Sequence, residues 1–293
     1  MHIGKVIKAI SGFFYVDYEG QIYECKGKGK LKKDKIIPFV GDDVEFEVIN
    51  DKTKKGIIEK VLERENSLVR PPVSNVDQVV IVFAIKNPTP NYLVLDKIIA
   101  IAESKGVEVT ICINKIDLDD TGEYEKFYNR YKNVGYEVFK LSATSDNDLK
   151  EKLMPILKGK TSVFSGPSGV GKSTILNTLH KDIEMETGEI SEKLKRGKHT
   201  TRHVELFSLD KDTFVLDTPG FTSLEVYDID KEDLRYSFVE FLDYSDECKY
   251  STCIHISEPN CKVKEALEEN KISKERYNNY ISIYNEINDK RRK

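Results

Sequence analysis

Gly166-Pro-Ser-Gly-Val-Gly-Lys-Ser173 fits G-x-x-x-x-G-K-[ST] at every position, between the apolar run "TSVFS" and the helix-forming run "STILNTLH". Its glycines let the backbone curl until successive N–H groups face one anion. A helix starting at the end of the loop adds partial positive charge. Gly166, Pro167, Ser168, Gly169, Val170, Gly171, Lys172, Ser173 and Thr174 are therefore expected to surround a phosphate chain. In such a loop the Lys172 ammonium reaches the outer phosphates and the Ser173 hydroxyl is a ligand for Mg²⁺. Strand, glycine-rich turn and helix in this order predict an α/β sheet.

Upstream, strands and helices alternate. "DQVVIVFAI" (77–85) is apolar throughout, as a strand buried on both faces must be. "YLVLDKIIAIAESKG" (92–106) has helical spacing and ends in Gly. "VEVTICINKID" (107–117) reads as strand, "EYEKFYNRYKNVG" (123–135) as helix and "YEVFKLSA" (136–143) as strand. "NDLKEKLMPILKG" (147–159) is a further helix. Repeated units of this kind predict a mainly parallel sheet covered on both faces.

The strand at 107–117 ends in Asn114-Lys-Ile-Asp117, and the next in Leu141-Ser-Ala143. A carboxylate at Asp117 can accept from N1–H and the 2-amino group of guanine, a pattern adenine lacks. Asn114 can donate to the purine and tie this loop to the phosphate loop. The Lys115 stem covers the base, Ile116 lies between the reading residues, and Ser142-Ala143 lies where a backbone contact meets guanine O6. Downstream, Asp217-Thr-Pro-Gly220 follows the strand "DTFVLD". There an Asp holds a water on Mg²⁺ and a Gly N–H meets the γ-phosphate. Gly197-Lys-His-Thr-Thr-Arg202 lies between, in a polar stretch. It is expected to be a switch loop in which Thr201, with Thr200 in reserve, is the Mg²⁺ ligand. Both base-reading motifs precede the phosphate motifs, so the order is a circular permutation of the usual one. Ras-like proteins place a water-orienting Gln after the final Gly; here Phe221 stands there. His199 is the foremost candidate to replace it, ahead of His203 and His180.

The flanks differ in character. "GKVIKAI", "GFFYVDY", "QIYEC", "DDVEFEVI" and "GIIEKVLE" are five short strands, and Val44, Phe46 and Val48 alternate with charge. A five-stranded barrel of the OB type is the expected result. Lys26, Lys28, Lys30, Lys32, Lys33 and Lys35 crowd one inter-strand loop, where a phosphate backbone could meet them. Toward the C-terminus, "KEDLRYSFVEFLDY" (231–244) and "SKERYNNYISIYNEIND" (273–289) have helical spacing. Tyr277, Tyr280, Ile281, Tyr284 and Ile287 form an apolar stripe suited to packing. Between them, Cys248-x₄-Cys253-x-His255-x₅-Cys261 offers three thiolates and an imidazole, a closed tetrahedral set for one structural Zn²⁺. The expected organisation is residues 1–69 as the barrel, 70–225 as the permuted nucleotide domain, with Arg70-Pro-Pro72 as linker, and 226–293 as a helical zinc domain.

The net charge is −4 with 33% charged residues, and no apolar run approaches a membrane-spanning length. The first residues lack an apolar core followed by a small-residue cleavage site, so no secretory signal is expected. A monomer in the cytoplasm, away from membranes, is the expectation.

Together these motifs resemble the RsgA (YjeQ) family of circularly permuted GTPases, over essentially the whole chain. The resemblance implies GTP hydrolysis stimulated by the small ribosomal subunit late in its maturation. It further implies GTP and GDP as ligands, rRNA contacts through the barrel and zinc domain, and a water-positioning role for His199. Arg202 departs from members that continue with Thr, which leaves the choice between Thr200 and Thr201 open. Two other readings compete: an RNA-binding switch protein with negligible turnover, and a GTPase with a non-ribosomal partner. Intact Lys172, Ser173 and Asp217 favour turnover, and the basic flanks, the lysine run at 26–35 and Lys290-Arg-Arg-Lys293, favour RNA.

Overall fold

In the computed structural model, residues 1–34, 36–68, 72–187, 204–217, 226 and 229–290 are described. Of the residues singled out above, Lys35, Arg70, Pro71, the switch-loop motif 197–202, His203, Thr218, Pro219, Gly220, Phe221 and residues 291–293 lie outside this set, His199, Thr200 and Thr201 among them, as do the side chains of Lys32, Asp217 and Lys290.

The chain begins with β1 (His2–Ile10), β2 (Phe13–Tyr18), β3 (Gln21–Gly27), the short α1 (Gly29–Lys33), β4 (Asp43–Asn50) and β5 (Lys55–Val61). The strands close into a barrel in the order β1-β2-β3-β5-β4, with β4 returning to β1. All pairs are antiparallel except β3 with β5. The alternation expected of β4 holds: Val44 and Phe46 are buried with Val6, Val16, Tyr23, Cys25, Leu31 and Ile58. The lysine-rich loop was expected without regular structure, yet it carries α1, because Leu31 enters the barrel core and fixes a turn around itself.

A small hairpin of β6 (Ser67–Leu68) and β7 (Val73–Ser74) follows. It is bound to the barrel through Asp42, which is fully buried. The Asp42 carboxylate accepts from Arg64 Nε at 2.7 Å and Nη2 at 2.8 Å, and from Ser74 Oγ at 2.5 Å.

Next come β8 (Gln78–Ala84), α2 (Tyr92–Ser104), β9 (Glu108–Asn114), α3 (Glu123–Val134), β10 (Glu137–Lys140), α4 (Leu149–Leu157), β11 (Thr161–Ser165) and α5 (Lys172–Thr187). They are followed by β12 (Leu206–Asp210) and β13 (Thr213–Asp217). The chain divides into two compact units. One holds the barrel, the small hairpin, α4, β11, α5, β12 and β13. Its α/β strands run β11-β13-β12, with β11 and β13 parallel and β12 antiparallel to β13. β12 was not expected from the sequence; it forms because the turn after Asp210 folds "LFSLD" back onto β13.

The other unit holds β8 from Val79 onward, β9, β10, α2, α3, the segment Ser165–Val170 and the C-terminal elements. Its strands run β10-β9-β8, with β10 and β9 parallel. β8 is buried at every position and β9 at all but its first. The C-terminal elements are α6 (Leu242–Ser245), α7 (Lys262–Glu268) and α8 (Lys274–Lys290). The single helix expected at 231–244 is instead two 3₁₀ turns, Leu234–Ser237 and Val239–Phe241, leading into α6. Phe238 leaves helical geometry at φ −109, ψ 83, and this lets Leu234, Phe238, Glu240 and Phe241 all be buried.

Tyr277, Tyr280 and Ile287 of the tyrosine stripe are buried, in one core with Ala100 and Ile101 of α2. Arg276 beside them is 1% exposed. Its guanidinium lies 2.5 Å from Asp96 Oδ1 of α2 and 2.5 Å from Glu240 Oε1. Tyr131 Oη at 3.0 Å and Asn279 Nδ2 at 2.6 Å also donate to Asp96. Among the described residues no helix is long and apolar enough to cross a membrane.

Candidate functional site

The phosphate loop leaves β11 at Gly166, whose φ of +132 few other residues tolerate. A Cβ there would lie 2.0 Å from the Val82 carbonyl oxygen, so β8 and the loop can pass only if this residue is Gly. Gly169 and Gly171 also have positive φ, and Val170 between them is 1% exposed. α5 starts at Lys172, and Ile175 N–H donates to Gly171 O at 3.0 Å. Ser173 and Thr174 face outward in the first turn of α5.

Asn114 ends β9 and is itself 1% exposed. Its Nδ2 donates to the Val170 carbonyl at 2.8 Å. Lys115 follows in left-handed geometry, φ 60, and its Nζ donates to the Gly169 carbonyl at 2.7 Å and to the Asn87 carbonyl. The neighbouring side chains of Asn114 and Lys115 thus grip two successive carbonyls of the glycine-rich loop. Asp117 is exposed on a 3₁₀ turn, Ile116–Leu118, and Ser142 Oγ donates to its Oδ1. Ile116 N–H donates to Leu141 O at 3.3 Å, so the two expected base-reading segments meet through backbone as well. A carboxylate oriented this way keeps lone pairs for two adjacent N–H donors.

Asn87 was not singled out from the sequence. It sits in "KNPTP", a Pro-flanked loop after a buried strand, and that is the signal that could have marked it. His180 lies on α5, outside any loop. Of the lysine cluster, Lys26, Lys28, Lys30 and Lys33 are exposed. Lys28 pairs with Glu59 at 2.5 Å, and Lys26 Nζ lies 4.8 Å from the centre of the Phe13 ring.

Cys248, Cys253, His255 and Cys261 converge, with their donor atoms all within 4.8 Å of one another. Cys248 Sγ lies 4.0 Å from Cys261 Sγ; His255 Nδ1 lies 3.7 Å from Cys248 Sγ and 3.4 Å from Cys261 Sγ. Zn–S and Zn–N bonds of ordinary length set tetrahedral edges of roughly 3.5–3.8 Å. The four residues therefore fit one structural zinc ion. Burial, and then the Arg235 guanidinium, hold the His255 imidazole down at about 4, so it stays neutral and able to ligate. Burial pushes the Cys253 thiol up to about 12. The knuckle backbone is pinned from outside. Glu258 accepts from the N–H groups of Ile254, Ile256 and Ser257, while Tyr277 Oη donates to His255 O at 2.6 Å.

The RsgA GTPase family model matches residues 61–227. The chain belongs to the RsgA GTPase family. The RsgA N-terminal domain model matches residues 3–58, within the barrel and its strands. The small ribosomal subunit biogenesis GTPase RsgA of Caldanaerobacter subterraneus is 46% identical over 290 residues, covering 99% of this chain and 97% of the relative. Among solved structures, the circularly permuted GTPase YloQ is 38% identical with a TM-score of 0.84, covering 99% of this chain and 96% of that one. YjeQ from Thermotoga maritima is 36% identical with a TM-score of 0.83, covering 98% of each chain. The barrel, the P-loop domain, circularly permuted as YloQ is, and the helical region with its Cys₃His cluster make up the architecture expected from the sequence.

Proposed function

We propose that this member of the RsgA family is a GTPase that serves small-ribosomal-subunit biogenesis, as its relative is named. The observation that carries the nucleotide assignment is the grip of Asn114 and Lys115 on the Val170 and Gly169 carbonyls. It joins a guanine-reading loop to a phosphate-binding loop although the permuted chain order separates them.

On this proposal the Asp117 carboxylate accepts from guanine N1–H and N2–H, held for the task by Ser142. Lys115 and Ile116 flank the base, and Ala143 N–H meets O6. Residues 166–174 wrap the phosphates, and Lys172 neutralises charge on the β- and γ-groups. Ser173 offers a hard hydroxyl oxygen at the first turn of α5, suited to Mg²⁺. Ser173 and Thr201, with Thr200 as the alternative, would hold that ion; Asp217 would hold one of its waters. When bound, Mg²⁺ supplies charge neutralisation to the phosphates. Gly220 N–H donates to the γ-phosphate. His199 orients the attacking water, whose oxygen bonds to the γ-phosphorus as the bond to the β-bridging oxygen breaks and GDP leaves. The three-domain division at residues 69 and 225, the monomeric cytoplasmic state and rRNA contacts through Lys26, Lys28, Lys30, Lys32, Lys33 and Lys35 and the zinc region complete the proposal.

The test is GTP hydrolysis with and without purified small ribosomal subunits. Stimulation by the subunit is expected. Equal rates with and without it would refute the ribosomal role, and no hydrolysis in either would refute the enzyme.

A further inference from the structure

The zinc cluster contains one ligand whose donor atom depends on which nitrogen carries a proton. A neutral imidazole is protonated on a single nitrogen, and the other supplies the lone pair for a metal. Ser245, in α6, decides the matter for His255. Its hydroxyl has one proton, which it donates to the Phe241 carbonyl at 2.7 Å. The same Oγ lies 3.3 Å from His255 Nε2. With its proton committed to Phe241, the hydroxyl can only accept there, so Nε2 must be the protonated nitrogen. Nδ1 is then left bare, and it is Nδ1 that lies 3.7 Å from Cys248 Sγ and 3.4 Å from Cys261 Sγ. The Phe241 ring meets the imidazole edge-on at 5.7 Å, so one residue both anchors the hydroxyl and steers the ring.

We propose that Ser245 is the positioning residue of the zinc site, selecting the Nε2–H tautomer of His255 so that Nδ1 ligates the ion. The proposal rests on the four-residue ligand set described above. A metal-bound histidine that loses the partner of its outer nitrogen typically binds zinc about 10- to 100-fold more weakly.

The experiment uses the full zinc-loaded chain and measures zinc affinity by competition with a chromogenic chelator. Ser245→Ala is expected to weaken zinc binding by about 10- to 100-fold, and Ser245→Thr, which keeps an Oγ, to restore it. An Ala variant that holds zinc as tightly as the parent overturns the role of Ser245. A parent chain that binds no zinc overturns the ligand set, and the role with it. If Ser245→Ala does not fold, ¹⁵N spectra of the parent imidazole decide the question. A protonated Nε2 with Nδ1 on zinc is expected, and a protonated Nδ1 overturns the proposal.

Discussion

Replacing Asn114 by Ala removes the Nδ2 donor at 2.8 Å from the Val170 carbonyl. Both residues are 1% exposed, so water cannot take the place of the lost amide. An acceptor left unsatisfied in such surroundings costs about 1–3 kcal/mol. If the grip holds the phosphate loop in its binding shape, that loss appears as weaker nucleotide affinity. At about 1.4 kcal/mol per tenfold, the range converts to roughly 5- to 150-fold in Kd. The assay is titration of a fluorescent guanine nucleotide, and the chain has no Trp to contribute background emission. Asn114→Asp should lose more than Ala, because it sets a carboxylate oxygen against the Val170 carbonyl. Thermal melting of each variant followed by far-UV circular dichroism separates looser binding from a fold that has failed. An Asn114→Ala protein that melts early yet binds within twofold of the parent would refute the link between grip and affinity. The bond would then serve the fold alone.

Asp117→Asn should shift preference from GTP toward XTP, since the amide donates where the carboxylate accepted; unchanged GTP affinity removes the base-reading role. His199→Ala should lose subunit-stimulated hydrolysis while nucleotide binding is kept, and turnover that survives assigns the water to another group. Arg276→Met leaves Asp96 and Glu240 buried without their cation, and should destabilise the fold by about 3–5 kcal/mol in urea denaturation. Burial already holds the Asp96 carboxyl above its usual range against the pull of Arg276, and the variant raises it further. A raised carboxyl stabilises the fold below its unfolded pKa and loses that contribution as pH rises through the folded value. The penalty should therefore be greater near pH 7 than near pH 4, and an equal penalty at both would refute the assignment.

What the sequence made legible was whatever rests on local chemistry. The phosphate loop declares itself because only Gly can stand where Gly166 meets the Val82 carbonyl. β4 declares itself because Val44 and Phe46 alternate with charge at a strand's period. The four zinc ligands lie close enough in the chain to be read as a set. Features made by long-range packing were not legible. The expected helix at 231–244 breaks at Phe238 because burial of Leu234, Phe238, Glu240 and Phe241 on more than one face outweighs helical spacing. Asn87 contributes a backbone carbonyl, which any residue carries, so its Pro-flanked loop could mark the segment but nothing in its identity could mark the contact with Lys115. Arg276 lies in a charged, helical run where a solvated surface position is the natural expectation. Only the tertiary partners Asp96 and Glu240 make it a core residue.

Those partners also bear on how a permuted chain finds its packing. Helix α2 follows the loop that carries Asn87, and so begins beside the Lys115 contact. Its middle presents Asp96 to Arg276, and Ala100 and Ile101 enter the core of the C-terminal elements. The apolar stripe of α8 would pack nearly as well if the helix slid by one turn, because Tyr277, Tyr280, Ile283 and Ile287 recur at helical spacing. The buried Arg would not. A slide of one turn carries it about 5.4 Å along the axis, beyond hydrogen-bonding reach of both carboxylates. A buried triad of this kind adds little net stability over an apolar replacement, but it strongly penalises an arrangement that strands its charges. Its contribution here is register. It fixes α8 against α2 and, through the core they share, fixes the zinc-binding region in the same compact unit as the loop that carries Asn114 and Lys115.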